Sequence, residues 1–382
     1  MAVAVIIGVL ASPSKAALSP AASAETGIAV VAGSGERGVA RDDVPASQTP
    51  MDNPTGVAVG PDGTVYVSDS GNHVVRSITR DGTVRTVAGT GRDGARAPEP
   101  KAGMKATDMP LAFPNDIAVG RDGTVFIADG GTIRVYALAP DGIISVRADE
   151  STGDGKLSSP MGAPSGLAVA PDGTLYIADR TNFQIIAVSP DGSVRVAAGG
   201  VGSAVTTAEG PATETPIGPV TGITVDAEGS LWISSAGNLL RVTGESLEPV
   251  AGDIGIVTTV SAGDDGIYLV DQPRRVIRRL TPDQRVDVVT TFADTQQPIL
   301  WVAAAAAPQG PVYVVDNAAN QVLAVHVDPI ANDAPEPAPI RTWPYLASGM
   351  AVLILAILAM VWRVRRRQSP AHRETRDGVS HG

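Results

Sequence analysis

Three residue types are absent or scarce in this 382-residue chain. It contains no cysteine, four histidines and 4% aromatic residues. The missing cysteines exclude disulfide bridges and thiolate metal sites. Two of the histidines, His73 and His326, lie before residue 328, which is too few for a histidine-rich metal site. The abundant residues, 42 glycines and 30 prolines, favour a turn-rich β protein over a helical one.

Positive charge is scarce over most of the chain. The net charge is −11, but residues 341–382 carry seven basic and two acidic side chains, so residues 1–340 hold −16. Phosphate backbones repel a domain this acidic, and we expect no nucleic-acid partner. Arginine outnumbers lysine by 25 to 4, a bias typical of bacterial proteins with GC-rich genes.

Both ends of the sequence carry membrane signals. Residues 2–11 form a short apolar run, and the A-x-A pattern at 22–24 predicts a secretory signal peptide over residues 1–24. Residues 343–362 contain no charge and are long enough to span a bilayer. A proline-rich linker at 329–342 precedes them, and a basic tail at 363–382 follows. The tail predicts a cytoplasmic C-terminus, with residues 25–328 outside the cell membrane of a single-pass protein.

The middle of the chain repeats one pattern six times. PTGVAVGPDGTVYVSD at 54–69 recurs at 114–129, 164–179 and 220–235, and shorter copies lie at 262–271 and 307–316. Each copy alternates short apolar runs with turns such as Asp-Gly. Four strands in a repeat of this length predict a β-propeller blade.

The repeat resembles the NHL repeat, a family of β-propellers. The shared motifs are P-x-G-[VIL]-[AT]-V, D-G-x-[VL]-[YF]-[VI]-x-D and the V-A-G-x-G that ends a blade. Six copies imply an all-β, six-bladed propeller over residues 25–328. The sixth copy lacks a fourth strand, whereas TGIAVVAGSG at 26–35 resembles the fourth strand of the first copy. We therefore expect an N-terminal strand to close the ring, and we expect Pro273 to interrupt the third strand of the fifth blade.

VAGTGRDG at 87–94 has the G-x-G-x-x-G spacing of a dinucleotide-binding turn. That motif requires an amphipathic helix after it, but Pro98 and Pro100 follow instead. The same spacing recurs at 31–38. The glycines are therefore predicted to shape the exit from a blade, and no nucleotide is expected as a ligand.

Five aspartates end the second strands of their blades. We define the upper face as the face where each innermost strand begins, and these aspartates form a partial ring there. They are expected either to bond the backbone of their own turns or to contact a ligand. Long connections at 32–53, 89–113, 148–163 and 199–219 predict that the working surface is on this face. The ring consists of Asp69, Asp129, Asp179, Asp271 and Asp316.

The segment PNDIAVGRDG at 114–123 is similar to one in gluconolactonase-type propellers. That resemblance implies that Asn115 lines a substrate pocket beside a divalent cation. Asp116 is a second candidate, since near the central channel it replaces the glycine found at positions 56, 166 and 222. The first blade lacks the acid that this cation needs, and no catalytic or metal-ligating residue is assigned.

The sequence therefore favours a membrane-anchored propeller that binds an extracellular ligand or partner protein. No cofactor is expected, and an enzyme is the less favoured interpretation. The alternative is a metal-dependent hydrolase or lyase of the gluconolactonase type on the same propeller.

Overall fold

The computed structural model describes residues 27–327. The gaps within this range are residues 40, 154–156, 158, 201, 206–207, 252–256, 273, 284, 293–300 and 307–309. The predicted signal peptide, linker, membrane segment and tail lie outside the described residues. Within the described part of the chain, no helix has the length and apolar character needed to cross a bilayer.

Six antiparallel sheets form the six blades of a propeller, as predicted. The first blade comprises β3 (Pro54–Val59), β4 (Val65–Asp69), β5 (Val74–Ile78) and β6 (Thr83–Ala88). The second comprises β7 (Pro114–Val119), β8 (Val125–Asp129), β9 (Arg134–Leu138) and β10 (Ile144–Ala148). The third comprises β11 (Pro164–Val169), β12 (Leu175–Asp179), β13 (Gln184–Val188) and β14 (Val194–Gly199).

The remaining blades follow the same order from the innermost strand outward. The fourth comprises β16 (Val220–Val225), β17 (Leu231–Ser235), β18 (Asn238–Thr243) and β19 (Ser246–Ala251). The fifth comprises β20 (Val257–Gly263), β21 (Gly266–Asp271), β22 (Val276–Leu280) and β23 (Val286–Thr291). The sixth comprises β24 (Trp301–Ala306), β25 (Val312–Asp316), β26 (Gln321–Val325) and β1 (Ile28–Ala32).

The N-terminal strand closes the ring. β1 pairs antiparallel with β26, with Ile28 opposite Val325 and Val30 opposite Leu323. This pairing supplies the fourth strand that the last repeat lacks, and it confirms the predicted closure. Pro273, which was expected to interrupt the third strand of the fifth blade, lies outside the described residues. The described third strand, β22, begins only at Val276 and runs without a break to Leu280.

Apolar contacts between adjoining blades form the core. Each described hydrophobic cluster combines side chains of two neighbouring blades; one joins Val75 of the first blade to Ile127 and Tyr136 of the second. All three side chains are fully buried. Burying one large aliphatic side chain stabilises the fold by about 1.5–3 kcal/mol, so the blades hold one another in place.

The sequence predicted that the four long connections lie over the upper face, but most of them have a different course. Three of them run along the outer rim and pair with the following blade. In each, one buried alanine accepts an N–H from the glycine that ends the preceding blade and donates its own N–H to a lower turn of the next. Ala46 links Gly33 to Gly82, Ala106 links Gly89 to Gly142, and Ala212 links Gly199 to Glu245.

These connections contribute the smallest elements of the fold. β2 (Val44–Pro45) pairs with β6, and β15 (Gly210–Pro211) pairs with β19. Short 3-10 helices span Ala46–Gln48, Ser70–Asn72 and Ala106–Asp108. The connections thereby cover outer strands that would otherwise expose unpaired edges.

Two glycines of VAGTGRDG, Gly89 and Gly94, occupy positions where a side chain does not fit. Gly89 has a φ of +92°, and a β-carbon there would lie 2.3 Å from the His73 carbonyl oxygen. Gly33 has the same environment, with φ +90° and the Asn320 carbonyl at 2.1 Å. A loop and a three-residue 3-10 helix follow Gly94, so the long helix of a dinucleotide-binding motif does not form.

Candidate functional site

The innermost strands of the six blades surround a central channel. It contains a cavity of about 230 Å³, whose wall combines small apolar residues with polar ones. Asn115 and Asp116, two of the residues singled out from the sequence, lie together in this wall on β7. The other described polar residues of the wall are Thr55, Ser165, Thr221, Thr224, Thr259 and Ser261.

Polar side chains connect the inner strand of one blade to that of the next. These strands do not pair through their backbones, so side-chain bonds cross the gaps between them. Most of the polar wall is therefore already engaged within the fold. The bonds run from Thr55 to the Pro114 carbonyl (3.3 Å), from Asn115 to the Pro164 carbonyl (2.9 Å), from Thr221 to the Val257 carbonyl (2.7 Å), and from the N–H groups of Ala262 and Ala306 to Thr224 (3.0 Å) and Ser261 (2.8 Å).

Asn115 has one polar atom left over. Its Nδ2 donates to the Pro164 carbonyl, whereas its Oδ1 is buried and has no hydrogen-bond partner. The reason lies in the turn after β8, where Gly130 occupies the position that Ser70 holds in the first blade. A β-carbon at Gly130 would lie 3.6 Å from Asn115 Oδ1, so a serine there could supply the missing donor. An unsatisfied buried acceptor costs about 1–3 kcal/mol.

Asp116 lies where neighbouring blades have glycine. A β-carbon at Gly56 would lie 2.8 Å from Asp116 Cα, and one at Gly166 would lie 3.9 Å from Asp116 Oδ2. The aspartate therefore fits because its neighbours lack side chains. Its Oδ2 accepts the N–H of Leu167 in the third blade at 2.7 Å.

The carboxyl of Asp116 has an unusual acidity. Burial raises its pKa from 3.8 to about 7, and the N–H groups of Leu167 and Ile117 offset that rise only in part. Part of its surface is open to the channel, but the channel is narrow and protein surrounds the group. Near neutral pH, protonated and charged forms of Asp116 therefore coexist.

The five aspartates of the upper ring have a different environment. All are buried, and they end the second strands outside the described channel wall. Asp129 is typical, since its carboxylate accepts the N–H groups of Ala112 and Phe113 at 2.8 Å and of Gly131 at 3.2 Å. Asp179 similarly binds Gly162 and Thr181, and Asp69 binds the N–H of Asp52.

These bonds give the ring a clear structural role. Asp129 and Asp179 each connect their own turn to the incoming connection from the previous blade. Asp316 accepts the N–H of Ala319, and Asp271 accepts an N–H and a guanidinium hydrogen bond from Arg274. A ligand contact by any member of the ring stays a prediction.

Sequence reasoning missed the alanines of the rim. Ala46, Ala106 and Ala212 each begin the same short pattern, in which Ser or Thr follows and then Gln, Asp or Glu. The pattern occurs as ASQ, ATD and ATE within the three long connections. Its recurrence is the signal that could have revealed their common position against the next blade.

The described residues hold no group of three or more histidine, aspartate or glutamate side chains placed to bind a metal. His73 is engaged elsewhere, since its Nδ1 lies 2.5 Å from the Ala112 carbonyl oxygen. The channel wall offers one carboxylate and one unpaired amide oxygen. Calcium takes six to eight oxygen ligands, commonly several carboxylates, so these described residues do not form such a site.

Two family models match this chain within the blades. The NHL repeat matches residues 51–76, in the first blade, and the SMP-30/gluconolactonase/LRE-like region matches residues 95–246. The first blade of this six-bladed β-propeller therefore carries an NHL repeat. The second match covers the second to fourth blades of the propeller and includes Asn115 and Asp116.

One curated relative is mouse Teneurin-3, 33% identical over 103 residues. The match covers 25% of this chain and 4% of Teneurin-3, so the matched region spans a small part of that protein's length.

Solved structures share the fold at low sequence identity. A streptogramin B lyase superposes with a TM-score of 0.51 at 16% identity, covering 75% of this chain and 96% of the lyase. A putative gluconolactonase gives 0.51 at 15%, covering 80% and 93%. An auxiliary nutrient binding protein from Bacteroides thetaiotaomicron VPI-5482 gives 0.53 at 12%, covering 78% and 76%. These likenesses concern the propeller fold alone.

Proposed function

We propose that this propeller is an extracytoplasmic, membrane-anchored module that binds a small polar ligand at the upper mouth of its central channel. The observation that carries the proposal is Asn115 Oδ1, a buried acceptor without a partner on the strand that also contributes Asp116 to the channel wall. A ligand hydroxyl or amine could satisfy that acceptor. Concave sites with a few convergent polar groups on a rigid scaffold are where small ligands usually bind.

The chain supplies its own reference for testing this site. The first blade has Thr55-Gly56 where the second has Asn115-Asp116. The double variant Asn115→Thr/Asp116→Gly therefore gives the second blade the two channel residues of the first blade. We would screen the full chain against small polar compounds by thermal unfolding, and we expect hits that raise the Tm of the wild type but not of this variant.

Asp122→Asn is the control, because it removes an exposed carboxylate from a lower turn of the same blade and leaves the channel wall unchanged. It should respond to ligands as the wild type does. Hits that stabilise the double variant equally would place binding elsewhere and contradict the proposal.

A second candidate function is a metal-dependent hydrolase or lyase. The gluconolactonase-like match over residues 95–246 favours it, whereas the described ligand set does not fit a divalent cation. Gluconolactone hydrolysis by the full chain, measured with and without added Ca²⁺, Mn²⁺ or Zn²⁺, separates the two. Turnover that a chelator abolishes and Asn115→Thr/Asp116→Gly removes would favour the enzyme.

The proposed location has an independent test. Arg180 is exposed in the turn after β12, and Ser380 belongs to the predicted cytoplasmic tail. Because the chain has no cysteine, Arg180→Cys and Ser380→Cys each introduce one labelling site without background. A membrane-impermeant thiol reagent applied to intact cells should label the first and spare the second. The reverse pattern would overturn the proposed orientation.

A further inference from the structure

We propose that Asp116 recognises a single positive charge, so that the ligand of the channel carries a monovalent cationic group. The group would be the ammonium of a small amine or an alkali ion. This inference rests on the proposed function and adds the charge of the ligand to it.

The fold does not need a charge at the position of Asp116. Asp116 Oδ2 accepts the N–H of Leu167 and so connects the second blade to the third. Elsewhere in the channel wall, neutral hydroxyls accept an N–H of the next blade, as Thr224 does for Ala262. Serine or threonine thus meets this structural requirement without the penalty of burying a carboxylate. The carboxylate calls for a further explanation.

Asp116 has no counterion on the described inner strands. β3, β7, β11, β16, β20 and β24 carry no charged residue except Asp116. No basic side chain is therefore available from the inner strands to pair with it. A carboxylate in such surroundings is neutralised by a proton or by a bound cation, and its raised pKa reflects the same isolation.

The size and chemistry of the channel cavity also favour a small cation. A cavity of about 230 Å³ holds roughly seven or eight waters at about 30 Å³ each, which suits an ion or a small amine. Thr55, Ser165 and Thr221 line the same wall, and their hydroxyl groups donate to backbone carbonyls, so Asp116 supplies the charge of the described wall. One negative charge matches one positive charge, whereas a divalent ion would retain a net charge in a poorly solvated channel.

The linkage between proton and cation makes the inference measurable. Only ionised Asp116 binds a cation, so affinity should rise with pH up to about 7 and then level off. At pH 5 about one site in a hundred is ionised, which predicts binding about 100-fold weaker than at pH 8.

The experiment is an NMR titration of the full chain at pH 5 and pH 8. The amide of Leu167 is the reporter, because it bonds directly to Asp116. The probes are methylammonium, Na⁺, K⁺, Ca²⁺ and neutral glycerol. We expect saturable shifts with a monovalent cation, about 100-fold weaker at the lower pH. Response to methylammonium alone assigns an amine, and response to Na⁺ or K⁺ alone assigns an alkali ion.

Two variants complete the test. Asp116→Asn keeps an acceptor for the Leu167 N–H but has no charge, and it should lose both the binding and its pH dependence. Asp122→Asn removes an exposed carboxylate from a lower turn of the same blade and should behave as the wild type. No saturable shift with any monovalent cation, or equal binding by Asp116→Asn, overturns the inference.

The outcome also separates this inference from the proposed function. Tighter binding of Ca²⁺ or glycerol than of any monovalent cation would overturn the proposal of a monovalent cationic ligand. The channel would still be a binding site. If the channel binds nothing, the screen with Asn115→Thr/Asp116→Gly also finds no variant-sensitive hit, and both proposals fail together.

Discussion

Replacing Asp116 by asparagine should stabilise the protein at alkaline pH and leave it nearly unchanged in acid. The folded-state pKa of about 7 lies above the unfolded value of 3.8, so the folded chain binds the proton more tightly. The stability that this proton contributes is fully present below pH 3.8 and is lost as the pH rises through 7. Asparagine keeps the acceptor for Leu167 and has no proton to lose.

The magnitude follows from the size of this difference in pKa. Each pH unit between the two pKa values changes the free energy of unfolding by about 1.4 kcal/mol. From pH 5 to pH 8 the advantage of Asp116→Asn over the wild type should therefore grow by about 3 kcal/mol, since the change ends near pH 7.

Urea unfolding followed by tryptophan fluorescence measures this difference. It should be run at pH 5, 6, 7 and 8 in buffers without primary amines or alkali ions, so that none of the proposed cations replaces the proton. Asp122→Asn is the control, because its carboxylate is exposed and its lowered pKa places its titration below this range. A difference between Asp116→Asn and the wild type that is independent of pH would refute the reasoning, because it would mean that the carboxyl is well solvated.

Three further predictions concern stability. Asp129→Ala leaves three backbone N–H groups without their acceptor and should lower the free energy of unfolding by about 3–5 kcal/mol in urea titrations. Gly82→Ala should lower the free energy of unfolding by about 1–2 kcal/mol, since its new β-carbon lies in open space and only the left-handed backbone is strained. Gly89→Ala should lower it by about 3–5 kcal/mol, because its β-carbon also meets a carbonyl oxygen. Equal losses for the two variants would contradict this difference. Deleting residues 27–32 should lower the Tm by exposing β26, and an unchanged Tm would contradict ring closure.

The sequence predicted most of the propeller because each blade repeats the same local physics. Asp-Gly turns separate short apolar strands, so the strand order follows from the alignment of the copies. Closure was predictable as well, since the strand missing from the last copy is present at the N-terminus. The two-residue strands β2 and β15 have no periodicity of their own. Their pairing depends on where a long connection lies, which no short-range pattern specifies.

The candidate site was predictable in its residues but not in its contacts. Asn115 and Asp116 stood out because they depart from the threonine and glycine of the first blade. The bond from Asn115 to the Pro164 carbonyl and the bond from Leu167 to Asp116 connect different blades, about 50 residues apart in sequence. Asp129 shows a similar limit, since the sequence suggested bonds to its own turn but not to the N–H of Ala112.

The pairing of β1 with β26 also determines when the propeller can finish folding during synthesis. Ile28 lies opposite Val325, so the first strand to be synthesised waits for nearly all of the propeller before it gains its partner. Contacts this distant in sequence slow folding, and an unpaired strand edge invites association with other chains in the meantime. We therefore expect nascent or truncated chains, rather than the finished ring, to be the species that depends on chaperones.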